Sequence, residues 1–498
     1  MESKEFNDTR EIEVDSSDIG LTKESIGYLS ITYFGFTLQA AWEAAGLAIQ
    51  FSLVSGGPAS LVYGSLLVGI GTTLIALSLS EMASIDPVVG AQYRWSAQFA
   101  PAWPRFWGLF QGWITVFAWM TTTAASLAYM AQGVQALAML NYPEYIPQAW
   151  QATLLMWAFI VPPVVANLWF GYIINPLEWV GAIGHGVYWI ASMITLGAMA
   201  TKSSHSFVWG TLTHDVGGWE QPGIAFGIGL LPLAFPMTSF DGIIHMSKEV
   251  KNPKRNVPHS MMFSVVLNAF MMFVWLVVVL YCFGDPDVVA AAPLGMALIG
   301  IYMSATGSRG ATTLLVALHI FTLFISLFNI VASSARLTWA FSQNNGLPFS
   351  LFFAHISNYF VQPVRCLVLV SVVCCLLSLI YIGSTTAFNA FISLPLVALY
   401  ISYGIPIAFL LFRRVRGQLP IFGPFSLGST LGLVVNAAAV AYILYVLCFA
   451  ALPTILPTTA ENMNYAGPLI LAVMIGAIVD WFVAGRLRFR ITEVTDIW

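Results

Sequence analysis

Two carboxylates in this chain lie where carboxylates are expensive. Glu43 sits in a run that is otherwise almost wholly apolar from Ile26 to Val54, with no Lys or Arg within 15 residues on either side. Asp241 lies in a second apolar stretch, "PLAFPMTSFDGIIH", residues 232–245. A charge at the centre of a bilayer costs at least about 2.5 kcal/mol, and ionisable groups kept there face a cavity or a partner. Two chemistries fit: counter-ion to a cationic substrate head, or carrier of a proton, since burial disfavours the charged form. One carboxyl can do both. The plainer readings are a hydrogen-bonded structural carboxyl for Glu43 and a helix cap for Asp241. His185 and His245 are further proton candidates, as is Glu178. Asp241, His245 and Glu249 are spaced four apart and line one helical face. One helix offers too few converging ligands for a metal there, so a polar gate network fits better.

The elements that must hold these residues follow from composition. Of the 498 residues, 58% are hydrophobic and 8% charged. Soluble domains are about 25% charged, so the solvent here is lipid. Apolar stretches long enough to cross a hydrocarbon core recur throughout, and the alternating polarity of a barrel is absent. Twelve spans are expected, over 28–54, 57–82, 104–137, 149–170, 175–200, 221–246, 258–283, 310–341, 363–382, 386–411, 424–450 and 466–486. With the N-terminus inside, only Lys202 and Arg309 of the 19 Lys and Arg fall outside, which predicts both termini in the cytoplasm. Residues 1–25 form a polar, disordered cytoplasmic tail with no cleavable signal pattern, so the first span serves as the targeting signal. Residues 290–305 are apolar but too short to span, and are expected to cap the outer vestibule. Residues 26–412 form the core of helices 1–10, residues 413–486 add helices 11 and 12, and 487–498 form a cytoplasmic tail.

Span six is broken: Pro232 and Pro236 each remove a backbone donor, and Gly242 follows. Interrupted helices are tolerated in a membrane only where the freed backbone lines protein or a wet cavity. Spans one and six each carry an acid and an interruption, and they lie five spans apart. Five is odd, so they run in opposite directions, as in an inverted repeat of five plus five with a site at the midplane. Phe235, Thr238, Phe240 and Asp241 in the broken segment are therefore substrate candidates. Trp42, Trp113, Phe117, Trp119, Phe324 and Phe328 are further aromatics from which an amine cage could be drawn, because Trp faces attract ammonium groups.

Six segments in order carry a family resemblance: "GGPASLVYG" (56–64), "LSLSEMASIDPVVGAQYRWSAQFAP" (77–101), "FDGIIHMSKEVKNPKRNVP" (240–258), "SSARLTWAFSQNNGLP" (333–348), "AFNAFISLPLVALYISYGIPI" (387–407) and "LPTTAENMNYAGP" (456–468). The chain resembles the amino acid–polyamine–organocation superfamily, most closely its amino acid/choline transporter branch, which includes GABA and choline permeases. The resemblance implies an all-α membrane fold of the LeuT type, with twelve helices and two inverted repeats. It also implies an unwound segment in span one at Trp42-Glu43-Ala44, counted back from Gly56-Gly57, with Gly46 the nearest glycine to the break. The branch carries two acids where this chain has Lys248-Glu249, a departure that bears on any charge pair at 248.

The expected function is secondary active import of a small amino compound (an amino acid, GABA or choline) coupled to protons through Glu43, Asp241, His185 or His245. Sodium is the other coupling ion, with Ser333 and Ser334 as candidate hydroxyl ligands, although close helix packing is the favoured reading of those two serines. The alternative is a nutrient receptor that kept the fold and lost transport. No P-loop and no H-E-x-x-H occurs, so neither ATP-driven pumping nor enzyme chemistry is indicated. The five cysteines lack metal-ligand spacing, and no cofactor, metal or nucleic acid is expected. The partners are the substrate, a proton and the bilayer, at the plasma membrane or, alternatively, the vacuolar membrane.

Overall fold

The computed structural model describes residues 26–169, 171–460 and 462–491. The expected tail at 1–25 and residues 492–498 lie outside the described residues, as do the side chains of 170–175 and 385–392. The chain opens with α1 (Tyr28–Gln39) and α2 (Ala41–Val54), separated by one left-handed residue, Ala40 (φ 40°, ψ 47°). Then come α3 (Gly57–Ile85), the short α4 (Ala91–Phe99), α5 (Pro104–Asn141), α6 (Ala149–Trp169) and α7 (Gly171–Met199). After α8 (His205–Gly210), a second interrupted stretch comprises α9 (Pro222–Gly229), α10 (Leu231–Ala234) and α11 (Gly242–His245). The chain continues through α12 (Pro253–Tyr281), α13 (Pro286–Ala290), α14 (Ala297–Thr306) and α15 (Arg309–Gln343). It ends with α16 (Ser350–Phe353), α17 (Val364–Gly383), α18 (Thr385–Val415), α19 (Ser429–Ala450) and α20 (Ala466–Asp480).

Among the described residues, ten helices are long and apolar enough to cross a bilayer. The two interrupted stretches, 28–54 and 222–245, stand beside them. Pro58, Pro104, Pro222 and Pro253 each lie in a helix's first turn, where the missing N–H has no intrahelical acceptor to lose.

The two interrupted stretches run antiparallel. At one end, which we call proximal, Ile26 N–H donates to the Glu249 carbonyl (2.9 Å) and Lys251 N–H donates back to Ile26 (3.0 Å). At the opposite, distal end, Gly56 N–H donates to the Thr213 carbonyl just before α9 (2.6 Å). The bases gather proximally. Arg105 donates to the carbonyls of Arg486 and Phe489, Arg413 to those of Phe99 and Ala100, and Arg488 to those of Asn345 and Gly346. Lys202 lies distally, on the carbonyls that end α7. The distal segment 290–305 runs from the end of α13 through a 3-10 turn at Pro293–Gly295 into α14, with Leu294, Gly295 and Met296 lining a vestibule wall.

The break in span one lies at Ala40, not at 42–44, and Gly46 is helical. An Ala in the left-handed region is strained by about 1–3 kcal/mol and persists only where its surroundings over-determine it. Here α12 does so. Asn268 accepts from Ala41 N–H (3.1 Å) and donates to the Phe36 carbonyl (3.3 Å), while Ser264 and Asn268 both donate to Gln39 Oε1. The amide of Asn268 thus takes the place of the lost helix bonds. Gly46 serves another purpose: a Cβ there would lie 2.6 Å from His319 Nε2 and 2.9 Å from the Trp275 ring. Its absence lets α15 and α12 close on α2.

Candidate functional site

Gln39 joins the two breaks: its Nε2 donates to the Met237 carbonyl in the non-helical stretch between α10 and α11 (3.1 Å). That stretch, Phe235–Asp241, turns through a left-handed Ser239 (φ 67°). Ser239 N–H donates to the Tyr403 hydroxyl (3.0 Å), and the Thr238 hydroxyl donates to the Phe235 carbonyl (2.7 Å). Gly242 permits the close approach, because a Cβ there would lie 2.4 Å from Leu38, 2.8 Å from Trp119 and 3.0 Å from Ser333.

Asp241 is fully buried, and its carboxylate is surrounded by donors. Tyr403 reaches Oδ1 (2.6 Å), while Gln92 (2.6 Å) and Trp119 (3.1 Å) reach Oδ2. His245 Nε2 lies 3.5 Å from Oδ2. Its other nitrogen, Nδ1, faces the Val89 carbonyl at 2.7 Å and must carry a hydrogen, since a carbonyl only accepts. Nε2 then carries one only when the ring is charged. The side chain of Asp241 makes no cap bond to α11, which replaces the capping expectation. Gln92 comes from α4, anchored at its start by Asp86, whose carbonyl accepts from Trp95 Nε1 (3.0 Å). Burial pushes the Asp86 carboxyl above its usual range, with Arg94 at 3.5 Å pulling the other way.

Glu43 is fully buried in the first turn of α2. It is not without a basic partner, as its surroundings in sequence suggest. His185 of α7 pairs through Nδ1 with its carboxylate, and His319 of α15 donates from Nε2 to its backbone carbonyl (2.7 Å). Trp42, beside it, is enclosed by Tyr188, Trp275 and His319, with ring centroids at 5.3, 5.3 and 5.1 Å. Trp42 therefore packs into the core rather than lining open space. Ala44 is partly accessible. Glu178 forms a separate centre at α1: it accepts from Thr37 (2.5 Å) and Asn329 (3.0 Å).

The expected face of Asp241, His245 and Glu249 is divided. Asp241 and His245 stay together, while Glu249 pairs with Arg336 (2.7 Å). Lys248, standing where the branch carries an acid, lies over the Trp339 ring at 4.7 Å. Ser333 and Ser334 donate to the carbonyls of Gly242 and Trp119, as helix-packing serines do. Of the other aromatics, Trp113 donates to Asp480 (2.9 Å), and Phe324 packs on Phe159 and Phe328, away from the breaks. Sequence reasoning missed Gln39, Gln92, Asn268, His319, Asn329 and Tyr403. Ser264 and Asn268, four apart in an apolar span, were the legible signal; the others look like ordinary helix polar residues.

Open space lies distal to the breaks. Two adjoining cavities, about 410 and 290 Å³, share Phe51, Tyr129, Gln132, Thr454 and Ile455. The larger descends past Leu231 and Pro232 to Phe235, with Ser393, Leu396 and Val397 of α18 opposite. Tyr129 and Phe235 stack at its floor with ring centroids 6.4 Å apart. Among the described residues, no charged side chain lines either cavity, and neither cavity touches Glu43 or Asp241. Apolar walls with a few amides and hydroxyls suit a small organic molecule.

The sequence profile of the amino acid permease family matches residues 26–475. A choline transporter of Saccharomyces cerevisiae is 27% identical over 484 residues, covering 95% of this chain and 84% of that protein. Amino-acid permease 2 of Neurospora crassa is 28% identical over 476 residues, covering 92% and 83%. A polyamine transporter of Saccharomyces cerevisiae is 24% identical over 493 residues, covering 96% and 78%.

Proposed function

Since the chain belongs to the amino acid permease family, we propose that it is a proton-coupled secondary transporter that imports a small amino compound: an amino acid, GABA or choline. The observation that carries this reading is the meeting of two antiparallel broken helices, joined by Gln39 and Met237, beneath a vestibule with largely apolar walls. Backbone groups at the two breaks, now held by Asn268, Gln39, Tyr403 and Thr238, can exchange those partners for the polar ends of a substrate. Phe235 with Tyr129 closes the route from the vestibule. Thr238, Phe240 and Asp241 lie below it on the substrate side, with Ala44 on the facing turn of α2. Three donors, from Tyr403, Gln92 and Trp119, hold the Asp241 carboxylate, which shapes the pocket from its proximal side. The chain makes twelve crossings in two inverted repeats with both termini cytoplasmic, 26–412 forming the core and 413–486 adding the last two crossings, in the plasma membrane.

Uptake of radiolabelled GABA, choline, putrescine and single amino acids, measured in a permease-deficient host, tests this. One class should accumulate, faster at acid external pH, and Phe235→Ala should alter its uptake without loss from the membrane. Absence of uptake of every compound by a chain that reaches the surface would sink the transporter reading.

A further inference from the structure

We propose that the Glu43–His185 pair is the site that binds the coupling proton, and that it acts as a latch across the break in span one, separate from the substrate pocket. This rests on the transporter reading above.

The geometry is a double grip. On α7, Glu178 and His185 are seven residues apart, two turns on one face, so their side chains leave the helix about 10 Å apart along it. Glu178 takes hold of α1 through Thr37 at 2.5 Å, and His185 takes hold of α2 through Glu43. The helix α15 repeats the pattern: Asn329 donates to Thr37 (2.9 Å), and His319 to the Glu43 carbonyl (2.7 Å). Both halves of the broken span are thus clipped to the same two helices, one on each side of Ala40. Glu43 is held twice, through side chain and backbone, and each time by an imidazole.

The charge balance makes the latch proton-dependent. With one added proton shared between them, Glu43 and His185 are neutral overall; without it they carry one uncompensated negative charge. The titratable groups around them are Glu178 and Tyr188 on α7, His319 on α15 and Tyr302 on α14, while α1 presents the Phe36 ring, with Tyr33 a turn away. The buried faces of α12 and α6 contain no titratable side chain. Glu43 Oε2 and His185 Nε2 have no hydrogen-bond partner among the described residues. An isolated ion in such surroundings is costly, so the closed latch is the protonated one, and losing the proton favours exposing the pair to water. Asp241 differs, because its donors stabilise an anion without any added proton.

The path to the pair is on the distal side. Leu47 and Gln50 lie one and two turns beyond Glu43 on the same face of α2, and both line the smaller cavity. A tilt of α2 that moves Leu47 would wet the pair from the vestibule.

The test uses the full chain reconstituted in proteoliposomes with radiolabelled GABA, choline and putrescine in turn. Glu43→Gln and His185→Gln should keep exchange of labelled for unlabelled substrate but lose accumulation driven by a pH gradient. Wild-type accumulation with an unchanged pH profile in either variant would overturn the proposal. A second measurement leaves the latch intact: maleimide labelling of Gln50→Cys, above the parent's background and relative to that of Asp215→Cys, which cancels the thiolate's own pH dependence, should rise as the pH rises. A ratio that does not change with pH overturns the latch even if the first two variants fail to fold. If no compound is transported by the wild type, the transporter reading fails, and the labelling result still judges the latch.

Discussion

At the scale of single residues, Gly46 separates what spacing can tell from what packing decides. It is the glycine nearest the break expected at 42–44, yet it is helical, and the strained residue is Ala40. The missing side chain at Gly46 lets His319 reach the Glu43 carbonyl, since a Cβ would lie 2.6 Å from His319 Nε2. Overpacking of this kind costs about 1–3 kcal/mol, so in Gly46→Ala uptake is expected to fall by about tenfold, with surface expression retained. Gly184 on α7 is the control, because a Cβ there meets nothing within 4 Å. Gly184→Ala should transport normally and gain up to about 1 kcal/mol of helix stability. Equal uptake by the two variants would show that His319 does not need its close approach. Glu43 and Asp241 were legible in the sequence because a carboxylate in an apolar run is conspicuous. Their partners were not: His185, Gln92 and Tyr403 lie 142, 149 and 162 residues from them along the chain, and no local pattern records which helix they face.

At the scale of elements, the ends of the helices are tied by charge in places where span prediction sees only boundaries. Glu81 of α3 and Arg414 of α18 form an ion pair whose side chains are 0% and 1% exposed. Glu81 also accepts from Leu427 N–H (2.9 Å), and Arg414 donates to the Gly428 carbonyl (2.6 Å), so the pair fixes the link into α19 as well. Removing one partner of a buried pair leaves an uncompensated charge and costs about 3–5 kcal/mol. Arg414→Met should therefore unfold at a clearly lower temperature in detergent, read by intrinsic fluorescence or size-exclusion profile. Adding Glu81→Gln should recover much of the loss, because the stranded charge is then gone. A single variant as stable as the parent would show that water reaches the pair. Helix positions were readable from hydropathy because lipid demands long apolar runs. The span-six break was readable too, since prolines announce it. The span-one break was not placed correctly, because what enforces it is Asn268 on another helix rather than anything between Ile26 and Val54.

At the scale of the whole molecule, the arrangement of bases and the antiparallel pairing of spans one and six constrain each other. Lys and Arg favour the cytoplasmic side of a membrane. In space, Arg105, Arg336, Arg413, Arg414 and Arg488 are bound to carbonyls and carboxylates at the proximal end, where Ile26 meets Glu249 and Lys251. Residue 252 follows directly from that contact, and residue 415 closes α18 beside Arg413 and Arg414. Residues 145 and 215 lie at the other end, after α5 has crossed and before α9 enters. An impermeant maleimide applied to intact cells should therefore label Tyr145→Cys and Asp215→Cys, and spare Asn252→Cys and Val415→Cys until the cells are permeabilised. The reverse pattern would put the N-terminus outside and turn the vestibule towards the cytoplasm, making the proposed import export. A mixed pattern, with 145 and 252 both labelled from outside, would contradict the antiparallel pairing itself. In that case the two breaks could not meet antiparallel, because spans one and six run in opposite directions only when an even number of crossings, here the four of α3, α5, α6 and α7, separates them.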